Sequence, residues 1–295
     1  MKILHFGDIH FWHKQLDMAD FYYPKRWLGI VNLSLRRHKK FPPELAHAVA
    51  RHIAASDADA VIFSGDMSTM SLNDDFAVAA KAFAPIHEKW GDRFFVIPGN
   101  HDRYTPLSVR QKRYEKHFPY QVLTEANGIV GKRTIGENLT VVGVDCSEPF
   151  AIRSNGVVRD QTAKALDSLL ISIPEDQTVI LVGHFPYATP ADQPESWSHG
   201  LIDHPKLSAV IKKHKPAIYL HGHKHARWAI RPAETPATLC VNCGASGMKS
   251  SSKHKHAGFV TFEINNNGIT DLVGHHLSPD TESMISHSVP GWNPA

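Results

Sequence analysis

The sequence predicts an α/β protein with mixed β-sheets, on two observations. Strand-like and helix-like segments alternate from the N-terminus as far as Leu220, which is typical of α/β folds. From Arg227 onward only strand-like segments follow, which favours mixed sheets over a purely parallel barrel. The chain has 295 residues, 42% of them hydrophobic and 21% charged, which is enough to bury a sizeable core.

Apolar, β-prone runs mark the strands, and apolar residues three or four apart mark the helices. Leu45, Val49 and Ile53 form one such helical stripe. Pro85 predicts a kink or break inside the next helix, over residues 74–90. The predicted order in the N-terminal half is strand 2–6, helix 44–56, strand 60–63, helix 74–90, strand 94–97 and helix 107–117.

The C-terminal half has the same alternation before it turns to strands alone. The predicted order is strand 139–144, helix 161–171, strand 179–182, helix 206–214 and strand 217–220, then strands 227–230, 238–241, 258–264 and 268–273. We expect one domain over residues 1–276 with an insertion at about 21–41. Residues 277–295, with three prolines, are expected to form an irregular tail.

Charge and cysteine content exclude several classes of protein. The formal net charge of +3 is modest and does not indicate a nucleic-acid partner. Three cysteines imply no disulfide framework, and Cys240 and Cys243 lie in a strand-like run, where we expect reduced core thiols. The N-terminus is too polar for a signal peptide and no segment is apolar enough to span a membrane, so we expect a cytoplasmic protein.

Five short polar islands follow or end strand-like runs. In an open α/β sheet, ligands bind at the carboxyl ends of the strands, so residues far apart in sequence are expected to meet at one edge. The islands are Asp8-Ile9-His10, Gly65-Asp66, Gly99-Asn100-His101-Asp102, Gly183-His184 and His221-Gly222-His223.

The islands supply two carboxylates, one amide oxygen and four imidazoles as candidate metal ligands. We expect Asp8 and His10, two residues apart at a strand end, to point to the same face, and His221 and His223 to do likewise. Mixed nitrogen and oxygen ligands suit Mn, Fe or Zn. Any one island is weak evidence, because turns use Gly-Asp freely and the chain has 21 histidines. The joint pattern of all five predicts a site for two divalent cations.

The order D-x-H, G-D, G-N-H-D, G-H and G-H-x-H resembles that of the calcineurin-like metallophosphoesterases. The likeness runs from Asp8 to His223, with the last element read as His221-Gly222-His223. It implies a four-layer α/β/β/α sandwich and a phosphoester hydrolase in which a metal-bridging hydroxide attacks phosphorus in line. It further implies the ligands of the two metals, most simply Mn. One metal is held by Asp8, His10, Asp66 and His223, and the second by the bridging Asp66 with Asn100, His184 and His221.

The same resemblance implies that His101 is the general acid or a phosphate contact, oriented by Asp102. Independently of the family, an imidazole beside a metal ligand can protonate a leaving alkoxide, since the pKa of histidine is ordinarily near neutral pH.

The insertion carries an amphipathic pattern. If it is helical, Trp27, Leu28, Val31 and Leu35 form an apolar stripe with Ile30 at its margin, and cationic residues flank it over 25–40. Such a segment can lie on an anionic membrane surface. It can equally be a lid helix packed on the protein, and the sequence leaves both possibilities open.

Finer resemblances narrow the substrate class. Met67-Ser68-Thr69 after Asp66 departs from the patterns of protein phosphatases and purple acid phosphatases. Lys25-Arg26-x-Leu28-Gly29 and the basic run after it are similar to the UDP-2,3-diacylglucosamine pyrophosphatases of lipid A synthesis, in the branch that keeps G-N-H-D. That likeness implies a UDP-linked lipid substrate at the inner membrane. A cyclic nucleotide phosphodiesterase is the alternative enzyme, and a metal-bound binding module without catalysis is the alternative of another class.

Overall fold

A computed structural model gives the structure, which describes residues 1–13, 23–265 and 268–293. Two six-stranded mixed sheets dominate this part of the chain. The first sheet has the strand order β14-β13-β12-β1-β2-β3, with β1, β2 and β3 parallel and the others antiparallel. Its strands are β1 (Lys2–Phe6), β2 (Ala60–Phe63), β3 (Phe94–Val96), β12 (Gly258–Asn265), β13 (Gly268–Leu277) and β14 (Met284–Ser288).

The second sheet has the order β10-β11-β9-β7-β5-β4. Its four central strands are parallel, and β10 and β4 pair antiparallel at the edges. The strands are β4 (Val130–Ile135), β5 (Leu139–Val144), β7 (Thr178–Gly183), β9 (Ile218–His221), β10 (Arg227–Ile230) and β11 (Leu239–Cys243). A short parallel pair, β6 (Gly156–Val157) and β8 (Leu201–Ile202), lies apart from both sheets.

Helices cover the outer faces of the sandwich. The longer ones are α3 (Pro43–Ala55), α4 (Asn73–Trp90), α7 (Asp160–Ile171) and α8 (His204–His214). The shorter ones are α1 (Pro24–Asn32), α2 (His38–Lys40), α5 (Pro106–Arg110) and α6 (Arg113–His117).

Three apolar clusters separate these layers. The inner cluster joins residues of both sheets, such as Ile62 and Val260 of the first with Val182 and Leu220 of the second. The two outer clusters join the first sheet to α3 and α4, and the second sheet to α7 and α8. This is an α/β/β/α sandwich with two mixed sheets, as predicted.

Some predicted elements differ from the structure. Helix α4 runs through Pro85 without a break, because the carbonyl of Lys81 that loses its partner is on an exposed residue where water can satisfy it. The single helix predicted over 107–117 is two short helices, separated at Lys112, whose φ is 50°. Both cysteines of the Cys240–Cys243 pair are buried free thiols in β11, as expected.

The prediction of an irregular C-terminal tail is wrong for Met284–Ser288, which forms edge strand β14 against β13. This strand is mostly solvent-accessible and polar, so no alternation of apolar residues announces it. The predicted tail position Pro294 lies outside the described residues.

Candidate metal centre

The site lies at the carboxyl ends of parallel strands from both sheets, where their loops meet. Backbone hydrogen bonds tie these loops together, with the amide of Asp8 donating to the carbonyl of Gly65 at 2.9 Å. The residues that they bring together are Asp8, His10, Asp66 and Asn100 from the first sheet and His184, His223 and His225 from the second.

One half of the centre consists of Asp8, His10 and His225. Their ligand atoms all lie within 4.8 Å of one another. His225 Nε2 lies 3.1 Å from Asp8 Oδ1 and 3.3 Å from His10 Nε2. All three side chains thus converge on a volume of the size that one cation occupies.

The other half is built around Asp66 and Asn100. His184 Nε2 lies 3.3 Å from Asp66 Oδ2 and 3.1 Å from Asn100 Oδ1. His223 Nδ1 lies 3.0 Å from the same Asn100 oxygen. Asp66 also faces the first half, since its Oδ2 is 3.7 Å from His10 Nε2, so its carboxylate lies between the two groups.

The structure does not bring His221 to the centre, and this corrects the sequence prediction. His221 is the last residue of β9, and its ring packs on Trp228 with centroids 4.8 Å apart. Its Nδ1 lies 3.2 Å from the side-chain amide of Asn242. His223, predicted for the first metal, instead meets Asn100 in the half predicted for His221. His225, which was not predicted, takes the place of His223 beside Asp8 and His10.

The sequence contained the signal for His225. Gly222-His223-Lys224-His225 matches G-H-x-H literally, and a glycine precedes His223 just as Gly183 precedes His184. The prediction placed the G-H-x-H motif two residues too early. His221 therefore became a predicted ligand, although it belongs to strand β9 itself.

The predicted extended geometry of the paired ligands is also corrected. Asp8, His10, Asp66, His223 and His225 all have positive φ, at 49°, 54°, 63°, 70° and 55°. Non-glycine residues rarely adopt this left-handed conformation, which costs roughly 1–3 kcal/mol each and clusters at functional sites. The ligands therefore project from tight turns beyond the strand ends, and not from the strands.

Two glycines leave room for the carboxylates. A Cβ at Gly99 would lie 2.2 Å from Asp66 Oδ1, and one at Gly222 would lie 2.2 Å from Asp8 Oδ2. Because these contacts are far shorter than any real non-bonded carbon-oxygen separation, only glycine permits the carboxylates to lie where they do.

The donor set fits divalent transition metals. Burial, and next the charge of Arg37, lower the pKa of His10 well below its usual value, and burial does the same for His223. Both imidazoles are therefore neutral, the form that binds metals. Burial opposes protonation of His184 too, but Asp66 beside it raises the pKa of His184 to about 9. Buried imidazole and carboxylate groups in such proximity need a cation between them, and a proton on His184 fills that role only in part.

His101 lies at the edge of this centre, and its two ring nitrogens meet a backbone carbonyl and Arg37. Its Nδ1 donates to the carbonyl of Thr69 at 2.6 Å, and its backbone amide donates to Asp66 Oδ1 at 2.7 Å. Nε2 therefore faces Arg37, 3.2 Å from its Nη1. Burial, and next Arg37, lower the pKa of His101 to about 3, well below the near-neutral pKa that is usual for histidine.

Asp102 does not orient the ring of His101, contrary to what the resemblance implied. Its carboxylate accepts hydrogen bonds from the backbone amides of Asp66, Met67, Ser68 and Gly99, at 2.8–3.2 Å. Burial raises its pKa to about 7, against the effect of these donors. Asp102 therefore holds the loops after β2 and β3 together, and Thr69 orients His101.

The inner face of the insertion is packed on the domain. Helix α1, a π-helical turn (Leu33–Arg37) and α2 form a nearly continuous helical segment. Leu33 is buried with Met70, Leu72 and Tyr104, and Ile30 packs against them. The insertion is thus anchored beside the metal centre.

The outer face of the insertion carries the predicted apolar stripe. Trp27, Val31 and Leu35 are 50%, 53% and 67% exposed. The first two residues of the insertion, 21 and 22, lie outside the described residues, as does the side chain of Leu28. None of the helices in residues 1–13, 23–265 and 268–293 has the length and apolarity that crossing a membrane requires.

A cleft of about 270 Å³ opens between the insertion and the centre. Arg159 does not line it and pairs with Glu148 on the surface. The loop over 192–199 contributes His199 to its lining, and the loop around Arg153 contributes Ile152 and Ser154. The insertion contributes Lys25, Gly29, Asn32 and Arg37.

Comparison with known proteins gives a family for this chain. The family profile described as calcineurin-like phosphoesterase matches residues 1–227. A dimetal phosphatase from Danio rerio has a similar structure, with a TM-score of 0.61 at 12% identity, covering 97% of this chain and 98% of that one. The GAP50 anchor of the inner membrane complex of Plasmodium gives a TM-score of 0.48 at 16% identity, covering 99% and 89%, and is too distant to carry an argument. No curated protein matches the chain significantly.

Proposed function

Since this chain belongs to the calcineurin-like phosphoesterase family and is a metal-dependent phosphoester hydrolase, we propose that it cleaves the pyrophosphate of a UDP-linked diacylated glucosamine. The main structural support for hydrolase activity is that two carboxylates, an amide oxygen and four imidazoles converge on one cleft. The products are UMP and a lipid phosphate, formed when water adds to one phosphorus and the bond to the bridging oxygen breaks.

We assign the ligands of two divalent ions, most simply Mn, from these contacts. Asp8, His10, Asp66 and His225 would hold one ion, and Asp66 would also contribute to the second. When bound, two such ions lower the pKa of a coordinated water toward about 7 and clamp an in-line displacement. The remaining ligands of the second ion are Asn100, His184 and His223.

His101 handles the proton of the leaving group. Its Nδ1 hydrogen is fixed on Thr69, which leaves Nε2 directed into the cleft. An anionic substrate beside Nε2 favours the protonated ring, which can then donate to the departing oxygen. The ring itself is held by the backbone and needs no further orienting group.

Apolar groups near the cleft support a substrate with acyl chains. Ile152, which lines the cleft, is 77% exposed, and Trp197, on the neighbouring loop, is 76% exposed. Ser154 donates its amide to the carbonyl of Ser198 at 3.0 Å, which joins these two loops. Large exposed apolar patches mark ligand-binding grooves, and these two side chains would contribute to such a patch for the acyl chains.

A substrate panel separates this function from cyclic nucleotide hydrolysis. The protein with Mn²⁺ is incubated with UDP-2,3-diacylglucosamine or with cyclic AMP, and products are identified by mass. We expect UMP and lipid phosphate from the first and no AMP from the second. Asn100→Ala is the control, since it lacks a ligand and should yield no product. If AMP formed and UMP did not, the proposed lipid substrate would be wrong and the protein would be a cyclic nucleotide phosphodiesterase.

We also propose that the insertion rests on an anionic membrane surface. Its outer stripe is flanked by the exposed Arg36, Lys39 and Lys40, and each basic residue near such a surface contributes about 1 kcal/mol. A second basic loop lies alongside, since Lys249 donates its amide to the carbonyl of Lys40 at 2.7 Å. That loop adds the exposed Lys253.

Sedimentation with vesicles tests the membrane contact. We expect binding to vesicles containing phosphatidylglycerol, weak binding to phosphatidylcholine alone, and loss of binding in Val31→Glu and Leu35→Glu. Ile171→Glu, at an exposed apolar residue on α7, is the control and should bind normally. Equal binding by all three variants would contradict the contact.

A further inference from the structure

We propose that Lys25 and Arg37 of the insertion form an anion subsite opposite the metal centre, which binds the second phosphate of a pyrophosphate substrate. This inference rests on the proposed function and deepens it, because it names the feature that distinguishes a pyrophosphate from a simple phosphodiester. Both residues line the same cleft as Asp66, Asn100 and His101.

Lys25 is a buried cation that forms no ion pair within the described part of the chain. It is 7% exposed, its Nζ donates to the carbonyl of Arg153 at 3.1 Å, and it lies 4.5 Å from the centroid of the Tyr104 ring. Among the described residues no carboxylate lies within 4.0 Å of it. Burying an ammonium group is costly unless it is paired. A ligand anion in the cleft would provide the missing partner.

Arg37 is a second, part-buried cation that lies closer to the centre. Its Nη1 and Nη2 lie 3.2 Å from His101 Nε2 and 3.1 Å from His10 Nε2. Its Nε is buried without a hydrogen-bond partner, and in the described part of the chain no carboxylate forms an ion pair with it. Imidazole nitrogens are poor partners for a guanidinium, whose planar fork matches phosphate oxygens.

The anchoring of the insertion places these two cations in the cleft. Tyr104 donates to the carbonyl of Lys25 at 3.2 Å. Leu33, which lies between Lys25 and Arg37 in the sequence, is buried against the domain. The neighbouring Arg36 is exposed on the outer side of the same turn. One face of the insertion therefore contributes cations to the cleft, and the other presents them to solvent.

Charge indicates what the subsite binds. Asp8 and Asp66 balance only half of the four positive charges that two divalent ions bring, so the centre itself accommodates one phosphate. Two further cations beyond it exceed what the single charge of a cyclic phosphodiester needs. A second phosphate, as in a nucleoside diphosphate linkage, supplies an anion for them.

The test compares ligands that differ by one phosphate. Binding of UDP and UMP, and of ADP and AMP, to the Mn-loaded protein is measured by calorimetry at fixed free Mn²⁺. We expect the wild type to bind the diphosphate of each pair at least about tenfold more tightly, as charge-assisted hydrogen bonds predict. Lys25→Met and Arg37→Met should each reduce that preference at least about fivefold, and the control Arg36→Met should keep it.

Metal content and melting temperature of each variant are measured alongside. Retention of the diphosphate preference in both cleft variants would overturn the subsite, as would an equal loss in Arg36→Met. Loss of bound metal from Arg37→Met would also overturn it, by showing that Arg37 acts on the ligands. The hydrolase proposal fails separately, if the Mn-loaded wild type does not cleave bis(p-nitrophenyl) phosphate.

Discussion

At the residue scale, His225 and His221 differ in role although they are only four positions apart: the first faces the metal centre and the second packs in the core. His225 faces Asp8 and His10, and His221 is buried against Trp228. We expect His225→Ala to lose one metal and to lower the rate of phosphodiester hydrolysis at least about 100-fold. His221→Ala should keep both metals and lower the free energy of unfolding by roughly 2–4 kcal/mol, because it leaves a cavity.

Metal analysis of the purified variants, with denaturant unfolding, separates the two histidines. His221→Phe is a matched control, since a ring of similar size preserves the packing. If His221→Phe lost metal while His225→Ala retained it, His221 would be the ligand, as the sequence pattern first indicated.

His101 gives a prediction that depends on the leaving group. Because it donates a proton, His101→Ala should lower the rate with alkyl phosphodiesters by about 10²–10⁴. With bis(p-nitrophenyl) phosphate, whose leaving group needs no proton, the loss should be much smaller. Steady-state rates on both substrates check this, and equal losses on the two would mean that His101 binds phosphate without transferring a proton.

The sequence identified most of the centre because its residues share a local signature. Asp66, Asn100 and His184 each follow a glycine at a strand exit, and this can be read without a structure. The left-handed backbone of Asp8 and His10 could not be read, since nothing in the residues themselves requires it. The role of Asp102 was equally hidden, because its partners are backbone amides that carry no sequence signal.

At the scale of elements, Asp102 joins the loops that follow β2 and β3. Four backbone amides donate to its carboxylate, and an asparagine offers one oxygen and would direct N–H groups at other donors. We expect Asp102→Asn to lower the free energy of unfolding by about 2–4 kcal/mol and to reduce activity by displacing Asp66. Unfolding curves and hydrolysis rates measure both effects.

The comparison with Asp57→Asn isolates the buried network. Asp57 is 81% exposed in its side chain and pairs with Lys2 on the surface, so this control should change stability little. A variant Asp102→Asn as stable and as active as Asp57→Asn would show that the backbone amides are satisfied without the carboxylate.

Elements with a buried face were predictable, and those without one were not. Helix α3 and strands β1, β2 and β5 have an apolar face or core that leaves a periodic pattern. Strand β14 is mostly accessible, and strand β4 has charged residues at its centre, so neither was predicted. The break at Lys112 depends on a left-handed residue for which lysine gives no signal.

At the scale of the whole molecule, the metal ligands come from both sheets of the sandwich. Asp8, His10, Asp66 and Asn100 follow strands of the first sheet, and the remaining histidines follow strands of the second. The core between the sheets is apolar and closes them along their length. At the site edge, however, buried imidazole, carboxylate and guanidinium groups replace that core. Divalent ions there would link the two halves of the fold.

We therefore expect metal to control the stability of the whole domain. Binding to the native state alone stabilises it by about 2.7 kcal/mol when free metal is 100 times the dissociation constant. Adding Mn²⁺ to chelator-treated protein should raise the melting temperature by several degrees, roughly 2–4 °C for each kcal/mol in a chain of this size. Scanning calorimetry with and without Mn²⁺ measures this shift. The shift should disappear in Asp66→Ala, which removes the shared carboxylate, and persist in Asp57→Asn. An unchanged shift in Asp66→Ala would mean that the stabilising metal binds elsewhere. Metal at this centre would then not stabilise the packing of the two sheets.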